Sequence, residues 1–159
     1  NRQIMILAHN KSILNVLFKT IEERNIGTVG YYIGGMKEHQ LKESETKQII
    51  IATYAMAEEA LDIKTLSALI LATPKTDVTQ AVGRILRTKH DDTLVVDIVD
   101  QHDIFQRQWL KRKRYYKKCN YTIKEIHSQH YHNDFKLWNS FVKKRNTKQL
   151  QTGKCMITF

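Results

Sequence analysis

Short apolar runs alternate with stretches of helical periodicity along the first hundred residues. The apolar runs predict strands at residues 4–8, 28–33, 48–52, 68–72 and 93–99. Helical spacing lies between them, for example in the segment that Asn10 would cap and in the helix that Asp77 would cap. Nearly continuous apolar strands that alternate with helices are typical of a parallel sheet covered on both faces. The sequence therefore predicts an α/β fold with a parallel sheet sandwiched by helices.

Several residues suited to ligand binding directly follow the predicted strands. They are His9, Asn10, Gly34, Gly35 and Thr53. In sheets of this kind, ligands bind beyond the carboxyl ends of the strands. The glycine pair could let a backbone approach a phosphate closely, or it could form an ordinary tight turn. Thr53 could donate its hydroxyl and amide to a phosphate, or it could cap the segment that follows.

Residues 80–87 read Gln-Ala-Val-Gly-Arg-Ile-Leu-Arg. In a helix, Gln80, Gly83, Arg84 and Arg87 would share one face because they are spaced three and four residues apart. Two guanidinium groups one turn apart can bracket a phosphoryl group as charge spreads over its oxygens. The alternative is that these arginines are only solvated charges on an exposed helix.

The basic excess of the chain lies entirely in its last third. The formal net charge is +10, with 12 Lys+Arg against 13 Asp+Glu in residues 1–100 and 14 against 3 in residues 101–159. This asymmetry indicates a polyanionic partner. Nucleic acid is favoured over a membrane surface because no strongly amphipathic apolar face accompanies the charges.

A helix is predicted at residues 103–119, and its second half is strongly basic. The residues that we expect to bind nucleic acid there are Lys111, Arg112, Lys113 and Arg114. Tyr115 and Tyr116 follow them and could stack on bases, or one of them could pack inward while the lysines are merely solvated. A strand at residues 121–126 and a helix at residues 135–142 are predicted to complete a basic extension.

The composition of the chain limits its class. A length of 159 residues with 42% hydrophobic residues allows one main domain. Two cysteines cannot form a disulfide framework, and no apolar run is long enough to span a bilayer, so we expect an intracellular protein without a membrane partner. A start at Asn1 that leads at once into a strand suggests a piece of a longer protein. No metal site is predicted, because Cys119 and the nearby histidines lack a Cys-x-x-Cys partner pair.

Three segments carry a resemblance to a known family. Residues 80–87 resemble motif VI of superfamily 2 helicases, residues 52–63 resemble motif V, and residues 4–10 resemble the looser motif IV. The motifs occur in the family's order, and motifs V and VI each follow a predicted strand. The resemblance covers about residues 3–100 and is that of the second, C-terminal RecA-like lobe. It is most similar to the transcript-release DNA helicases of poxviruses and other large nucleocytoplasmic DNA viruses.

The resemblance implies a role for each matching residue. Arg84 and Arg87 would be arginine fingers and Gln80 a γ-phosphate sensor. Gly83 would lie beside them, Asp62 would hydrogen-bond the nucleotide ribose, and Thr53 would hold a nucleic-acid phosphate. We assign the other residues that follow strands, residues 9, 10, 34 and 35, to the same nucleic-acid contact. The sequence departs from the pattern at Ala60, where the family has glycine, and at Tyr54, where many members have aspartate.

Half of an ATP site is missing from the sequence. It has no Gly-x-x-x-x-Gly-Lys-Ser/Thr loop (Walker A) and no Asp-Glu pair after an apolar strand (Walker B). The resemblance therefore implies that ATP and Mg²⁺ are bound mainly by an N-terminal RecA-like lobe of the same polypeptide. We expect the chain alone to be inactive as an ATP hydrolase.

Taken together, the sequence predicts the C-terminal motor lobe of an ATP-dependent helicase or translocase. The expected division is a RecA-like lobe at residues 1–100, a basic helical extension at 101–142 and a flexible tail at 143–159, whose apolar end could tuck back. DNA is the expected substrate, with RNA as the alternative, in viral transcription or DNA repair. A viral protein of this kind would act in the host cytoplasm, at the virus factory, or in the virion. The rival interpretation is a non-catalytic nucleic-acid-binding module with the same fold.

Overall fold

A computed structural model describes residues 2–59, 63–85, 93–131, 139–141 and 154–157. The described residues form eight β-strands, five α-helices and a short 3₁₀ helix (Ser128–His130). The strands are β1 (Gln3–Ala8), β2 (Val29–Tyr32), β3 (Ile49–Thr53), β4 (Leu66–Leu71), β5 (Leu94–Asp97), β6 (Thr122–Glu125), β7 (Asn139–Phe141) and β8 (Lys154–Ile157). The helices are α1 (Lys11–Glu23), α2 (Glu38–Glu45), α3 (Tyr54–Glu59), α4 (Thr79–Ile85) and α5 (Asp103–Lys118).

The strands form one sheet in the order β2-β3-β1-β4-β5-β8-β6-β7. Strands β1 to β5 are all parallel to their neighbours, β8 is parallel to both β5 and β6, and β7 is antiparallel to β6. Each of the first four strands is followed by a helix before the next strand begins. The α/β fold with a parallel sheet that the sequence predicts is therefore confirmed.

Both faces of the sheet are buried, because successive side chains of a strand point to opposite sides. In β1, Met5 and Leu7 belong to one apolar cluster, whereas Ile6 and Ala8 belong to another. Helix α1 packs on the second cluster through Leu14 and Ile21, and helices α3, α4 and α5 supply the first. This double coverage explains why the strands read as nearly continuous apolar runs.

The last third of the chain extends the sheet. Helix α5 and strand β6 form where the sequence predicts a helix and a strand. The helix predicted at residues 135–142 is wrong at residues 139–141, which form β7 and pair with β6 from Ile123 to Glu125. The apolar residues there have helical spacing, but backbone pairing with an exposed strand edge outweighs that weak local preference.

Strand β8 shows that the apolar end of the tail predicted at residues 143–159 tucks back onto the sheet, so residues 154–157 are not flexible. Residues 154–157 lie between β5 and β6, with Cα registers of Val95 to Cys155 and Ile123 to Cys155. Without β8, the facing edges of two strands would have unpaired backbone groups, so the inserted strand satisfies both. The rest of the predicted tail, apart from 154–157, lies outside the described residues.

The predicted cap at Asn10 yields a stability test. The Oδ1 atom of Asn10 accepts a hydrogen bond of 3.0 Å from the backbone N–H of Ile13 at the start of α1. Replacing Asn10 by Ala should lower the free energy of unfolding by about 1 kcal/mol, because a helix N–H loses its acceptor. Asn10→Asp should keep most of the stability, because aspartate caps equally well. Urea denaturation of the three proteins measures this, and equal stability of the alanine variant would contradict the cap.

Candidate nucleotide and nucleic-acid site

The residues that were predicted to contact nucleic acid after the first three strands meet at one edge. Because β1, β2 and β3 are parallel, their carboxyl ends lie side by side in the order β2-β3-β1. The glycine pair follows β2, Thr53 ends β3, and His9 and Asn10 follow β1. Thr53 is half-buried and is paired in register with Ala8, while the other four are exposed. The structure thus brings all five predicted residues to the same edge.

The glycine pair forms the tight turn that was one of its two predicted roles. Gly35 has a φ of +91°, a conformation that side chains rarely adopt, so a turn needs glycine at this position. A Cβ atom placed on Gly34 or Gly35 would meet nothing within 4 Å. The pair is therefore a tight turn whose outer surface is open to a ligand.

His9 is tied to the loop that follows β4. Its backbone N–H donates to Thr73 Oγ1 at 3.0 Å, and its ring Nε2 donates to the carbonyl oxygen of Pro74 at 2.6 Å. The imidazole also lies 4.8 Å from the ring of Tyr54, measured between ring centroids. These contacts give His9 a structural role and fix the position of the β1 loop relative to β4.

Tyr54, which departs from the motif V pattern, is buried beneath the same loop. Its hydroxyl donates to the carbonyl oxygen of Thr73 at 2.6 Å, and burial raises the pKa of this phenol well above its ordinary value. The ammonium of Lys75 lies 4.8 Å from the centroid of the Tyr54 ring and forms an ion pair with Glu58 of α3. Tyrosine at this position thus joins motif V to the loop that leads into motif VI.

Helix α4 carries the motif VI residues that the structure describes. Asp77 Oδ1 accepts a hydrogen bond of 2.9 Å from the N–H of Thr79, and this bonding lowers the pKa of Asp77. The predicted cap at Asp77 is therefore confirmed. Val78 and Val82 are buried against the sheet, with Ala81 between them in the same cluster.

The outer side of α4 is the face expected to meet the nucleotide. Gln80 is exposed, and Gly83 is half-buried, with nothing within 4 Å of a Cβ atom placed on it. The two residues therefore lie on the solvent side of the helix, as their spacing predicts. The Arg84 side chain, Arg87, Asp62 and Ala60 lie outside the part of the chain that the structure describes.

Arg112 contradicts its predicted role as a nucleic-acid contact. Its side chain is 1% exposed and forms a two-pronged ion pair with Asp97 at the end of β5. The Nε atom lies 2.6 Å from Asp97 Oδ2, and Nη2 lies 2.7 Å from Oδ1. Arg112 is buried because it lies three residues after Trp109 and four before Tyr116, on the inward face of α5. The prediction that Arg112 binds phosphate is therefore wrong.

Further hydrogen bonds surround this ion pair. Tyr116 is fully buried, and its hydroxyl donates to Asp97 Oδ2 at 3.1 Å. The remaining guanidinium nitrogen, Nη1 of Arg112, donates to the carbonyl oxygen of Lys75. Burial is the largest influence on Asp97 and raises the pKa of its carboxyl, although Arg112 and Tyr116 stabilise the charged form. Of the two tyrosines, Tyr116 packs inward, which confirms the alternative that one of them does so and removes Tyr116 from stacking on bases.

Sequence reasoning missed Asp97 and its partner, although the sequence contains two signals for them. Asp97 interrupts an apolar strand between Val96 and Ile98, where a carboxylate would be buried and would need a cation. Arg112 shares helical spacing with two large aromatic residues, which marks the inward face of α5. Reading residues 111–114 as one basic block hid the fact that a helix points neighbouring residues in different directions.

The exposed side of α5 carries a different set of cations. Lys113 forms an ion pair with Glu125 of β6, and its side chain is only 20% exposed. Four exposed residues at spacings of four, three and four share the outward face, and we name them the basic stripe: Arg107, Lys111, Arg114 and Lys118. The stripe extends over about 17 Å at 1.5 Å per residue. Two of its members, Lys111 and Arg114, were predicted from the sequence.

A cavity of about 290 Å³ separates the start of α4 from α5. Tyr115, which borders it, is partly buried, and burial together with Cys119 raises the pKa of its phenol to about 12. The residues that line the cavity are Thr76, Asp77, Val78, Thr79, Lys111, Arg112 and Tyr115. The beginning of α4 and one member of the basic stripe, Lys111, therefore border the same space.

The described residues contain neither a candidate metal cluster nor a candidate membrane-spanning helix. No group of three or more His, Cys, Asp or Glu side chains in the described ranges could hold a metal ion. Within that same part of the chain, no helix is long and apolar enough to cross a membrane.

Several viral proteins are similar to this chain. "Putative ATP-dependent RNA helicase L396" of Acanthamoeba polyphaga mimivirus is 40% identical over 151 residues, which are 90% of this chain and 29% of that protein. "Putative ATP-dependent RNA helicase QP509L" of African swine fever virus (isolate Pig/Kenya/KEN-50/1950) is 28% identical over 130 residues, 76% of this chain and 26% of that protein. The chain thus spans less than a third of the length of these two relatives.

"Uncharacterized protein 108L" of Invertebrate iridescent virus 3 is 33% identical over 70 residues, which are 43% of this chain and 67% of that protein. The chain therefore belongs to the same family as protein 108L. No family model matches the chain.

A solved structure supports the fold. The crystal structure of the C-terminal part of the Fun30 ATPase domain matches with a TM-score of 0.59 and 11% sequence identity, over 69% of this chain and 38% of that chain. Together with the viral relatives, this match shows that the chain has a helicase-like RecA fold. The resemblance that the three sequence motifs suggested is confirmed at that level.

The buried ion pair generates a test by double substitution. Arg112→Met should lower the free energy of unfolding by about 3–5 kcal/mol, because it leaves the Asp97 carboxylate buried without its partner. Asp97→Asn combined with Arg112→Met should recover most of that loss, because no uncompensated charge remains. Urea denaturation compares Arg112→Met, Asp97→Asn alone and the double variant with the parent protein. The matched control is Lys42→Met, which breaks the exposed Lys42–Glu38 pair and should have no measurable effect. Additive losses at positions 97 and 112 would contradict the coupling.

Proposed function

We propose that this chain is the C-terminal motor lobe of an ATP-dependent nucleic-acid helicase or translocase. One observation carries the proposal most strongly: the motif VI helix begins just beyond the same sheet edge that gathers Thr53, His9 and the glycine pair. A lobe with this arrangement can contact a nucleotide and a nucleic-acid strand at once. The printed names of the mimivirus and African swine fever virus relatives support the same function.

The nucleotide side of the proposed site consists of hydrogen-bond donors. The outer face of α4 presents the side-chain amide of Gln80, with open space at Gly83 for a ligand to approach the helix, and its seven residues contain no carboxylate. This donor set fits a polyphosphate and does not fit a divalent cation, which prefers carboxylate oxygens. Arg84, Arg87 and Gln80 would contact the γ-phosphate, and Asp62 would bind the ribose. The N-terminal lobe would hold Mg²⁺ and most of the ATP.

In that arrangement the arginines act on the transition state of hydrolysis. Charge spreads over the γ-phosphoryl oxygens as the bond to the leaving group lengthens, and guanidinium groups from the second lobe stabilise it. Because these arginines come from a separate lobe, closure of the two lobes would complete the site. After hydrolysis the two lobes would separate again. Each lobe would thus hold the nucleic-acid backbone in alternation.

The nucleic-acid side of the proposal has two parts. The first is the sheet edge, where Thr53, Asn10, His9, Gly34 and Gly35 would follow a sugar-phosphate backbone. The second is the basic stripe, whose guanidinium and ammonium groups would neutralise phosphates and displace counterions. We leave Lys113 out of this surface, because Glu125 already pairs with it.

The bound strand is defined by its phosphodiester backbone, which DNA and RNA share. We predicted DNA, whereas the printed names of the relatives say RNA helicase. Binding assays with single strands of each kind distinguish the two. A role in viral transcription or DNA repair, at the virus factory or in the virion, remains a prediction that follows from the viral resemblance.

Removing either proposed arginine finger tests the nucleotide side. In the full-length protein, Arg84→Lys and Arg87→Lys should each lower ATP turnover by roughly a thousandfold, as loss of an arginine finger does. Lysine keeps the charge, so melting temperatures should stay close to that of the parent protein. It lacks the planar fork of donors, so the loss should appear in turnover alone. Arg24→Lys, at the end of α1, is the matched control and should leave turnover unchanged. Near-normal turnover of both variants would show that residues 84 and 87 are only surface charges.

Salt dependence of binding tests the basic stripe. Replacing Lys111 and Arg114 together by Gln should lower the log-log slope of affinity against salt by roughly 1.4 on single strands, at about 0.7 per lost contact. The control, Lys19→Gln with Arg24→Gln, removes the same charges from the other side of the sheet and should leave the slope unchanged. Fluorescence anisotropy with unrelated DNA and RNA strands measures both slopes.

The same assays separate the proposal from its rival. Equal slopes for the two double variants would remove α5 from the nucleic-acid surface. Salt-dependent binding by a full-length protein that hydrolyses no ATP would instead favour a non-catalytic binding module.

A further inference from the structure

We propose that Arg112 is a positioning residue that couples the basic stripe on α5 to the motif VI helix α4. The inference rests on the proposed function, since it assigns nucleic acid to one helix and the nucleotide to the other. It goes beyond that function by naming the physical link between the two. Binding of a nucleic-acid strand to α5 would thereby change the position or the order of the residues that face ATP.

The position of Arg112 in the sequence makes this link direct. It lies between Lys111 and Arg114, two members of the basic stripe, but points to the opposite side of α5. Its Nη1 atom donates to the carbonyl oxygen of Lys75. Lys75 belongs to the loop between β4 and α4, only four residues before Thr79 begins the helix. A shift of α5 would therefore be passed to the loop by this part-buried hydrogen bond.

The guanidinium is held too firmly to absorb such a shift. Nε and Nη2 bind the two oxygens of Asp97, and Nη1 binds the loop, so all three nitrogens have partners. Asp97 is itself fixed at the end of β5 and accepts a hydrogen bond from Tyr116. Arginine presents its donors in a rigid plane, so the sheet, α5 and the loop keep one relative arrangement.

Sparse packing between α5 and the start of α4 favours Arg112 as the residue through which a shift of α5 would reach α4. The cavity of about 290 Å³ lies between the start of α4 and α5, so close side-chain packing does not fill this region. Besides Arg112, the hydroxyl of Tyr115 reaches the carbonyl oxygen of Thr79 across a long 3.5 Å contact. Arg112 bonds not to α4 itself but to the loop that leads into it, and this charge-assisted hydrogen bond is firmer than the long Tyr115 contact.

The loop between β4 and α4 also contacts the segment that resembles motif V. Lys75 forms an ion pair with Glu58 and lies over the ring of Tyr54, both in α3. Its neighbours Thr73 and Pro74 hold His9 of the β1 loop. A change at Lys75 therefore reaches the nucleic-acid edge and the nucleotide helix together.

Hydrogen exchange in the full-length protein tests the coupling. A single-stranded oligonucleotide, DNA in one arm and RNA in the other, should slow amide exchange in residues 76–83 by about tenfold, a size usual for coupling between sites. In Asp97→Asn with Arg112→Met, the oligonucleotide should still bind within about twofold, but this slowing should be lost. The ratio of stimulated to basal ATP turnover should fall by about tenfold in the same variant. Lys113→Met, which breaks a pair on the β6 side of α5, should retain both effects.

The outcomes separate this inference from the proposed function. If the parent protein binds the oligonucleotide without slower exchange at residues 76–83, or the double variant keeps the slowing, the coupling is wrong. If no oligonucleotide binds to the parent protein, α5 does not bind nucleic acid and the proposed coupling is also wrong. If exchange responds as expected but the full-length protein hydrolyses no ATP, the motor function fails while the link stands. Should the double variant not fold, Arg112→Lys keeps a charge beside Asp97, loses the rigid fork and must show the same loss of slowing.

Discussion

The ion pair between Asp97 and Arg112 fixes the relation between the sheet and the basic extension. Taking both charges out of water costs several kcal/mol, and the attraction between them offsets this only because two short hydrogen bonds join them. The carbonyl oxygen of Lys75 and the hydroxyl of Tyr116 complete the bonding of this pair. An apolar pair of similar volume could stabilise the fold as well. We therefore infer that the pair is kept for the geometry that it imposes on α5 and the loop before α4.

From that pair a continuous set of contacts runs along the carboxyl edge of the sheet. Arg112 contacts Lys75, Lys75 lies over Tyr54, and Tyr54 and His9 both bind the segment at Thr73 and Pro74. Apart from Arg112, these residues lie in the segments that resemble motifs IV and V and in the loop before the segment that resembles motif VI. The loops that would face a nucleotide and a nucleic-acid strand are thus held by one shared segment. Such sharing gives a physical basis for strand binding and hydrolysis to influence each other.

The sequence predicts the core of the fold well because strands buried on both faces leave a strong apolar signal. The five parallel strands, the caps at Asn10 and Asp77, and the gathering of Thr53, His9 and the glycine pair at one edge follow from that signal and from local chemistry. Strand β7 could not be predicted, and β8 only as an apolar end that could tuck back, because short segments pair wherever an edge is available. Arg112 was misassigned because its charge suggested solvent, whereas its helical phase and the lone carboxylate at Asp97 determine its burial.

We propose that this lobe supplies only half of an ATP site and that nucleic acid regulates the complete one. Phosphate release by the 159-residue chain and by the full-length protein, each with and without single-stranded DNA or RNA, tests it most directly. We expect no turnover from the chain alone and strand-stimulated turnover from the full-length protein. Turnover by the chain alone, even near the ~1 per second end of typical enzyme rates, would contradict the account. So would a full-length protein that hydrolyses no ATP in the presence of either strand.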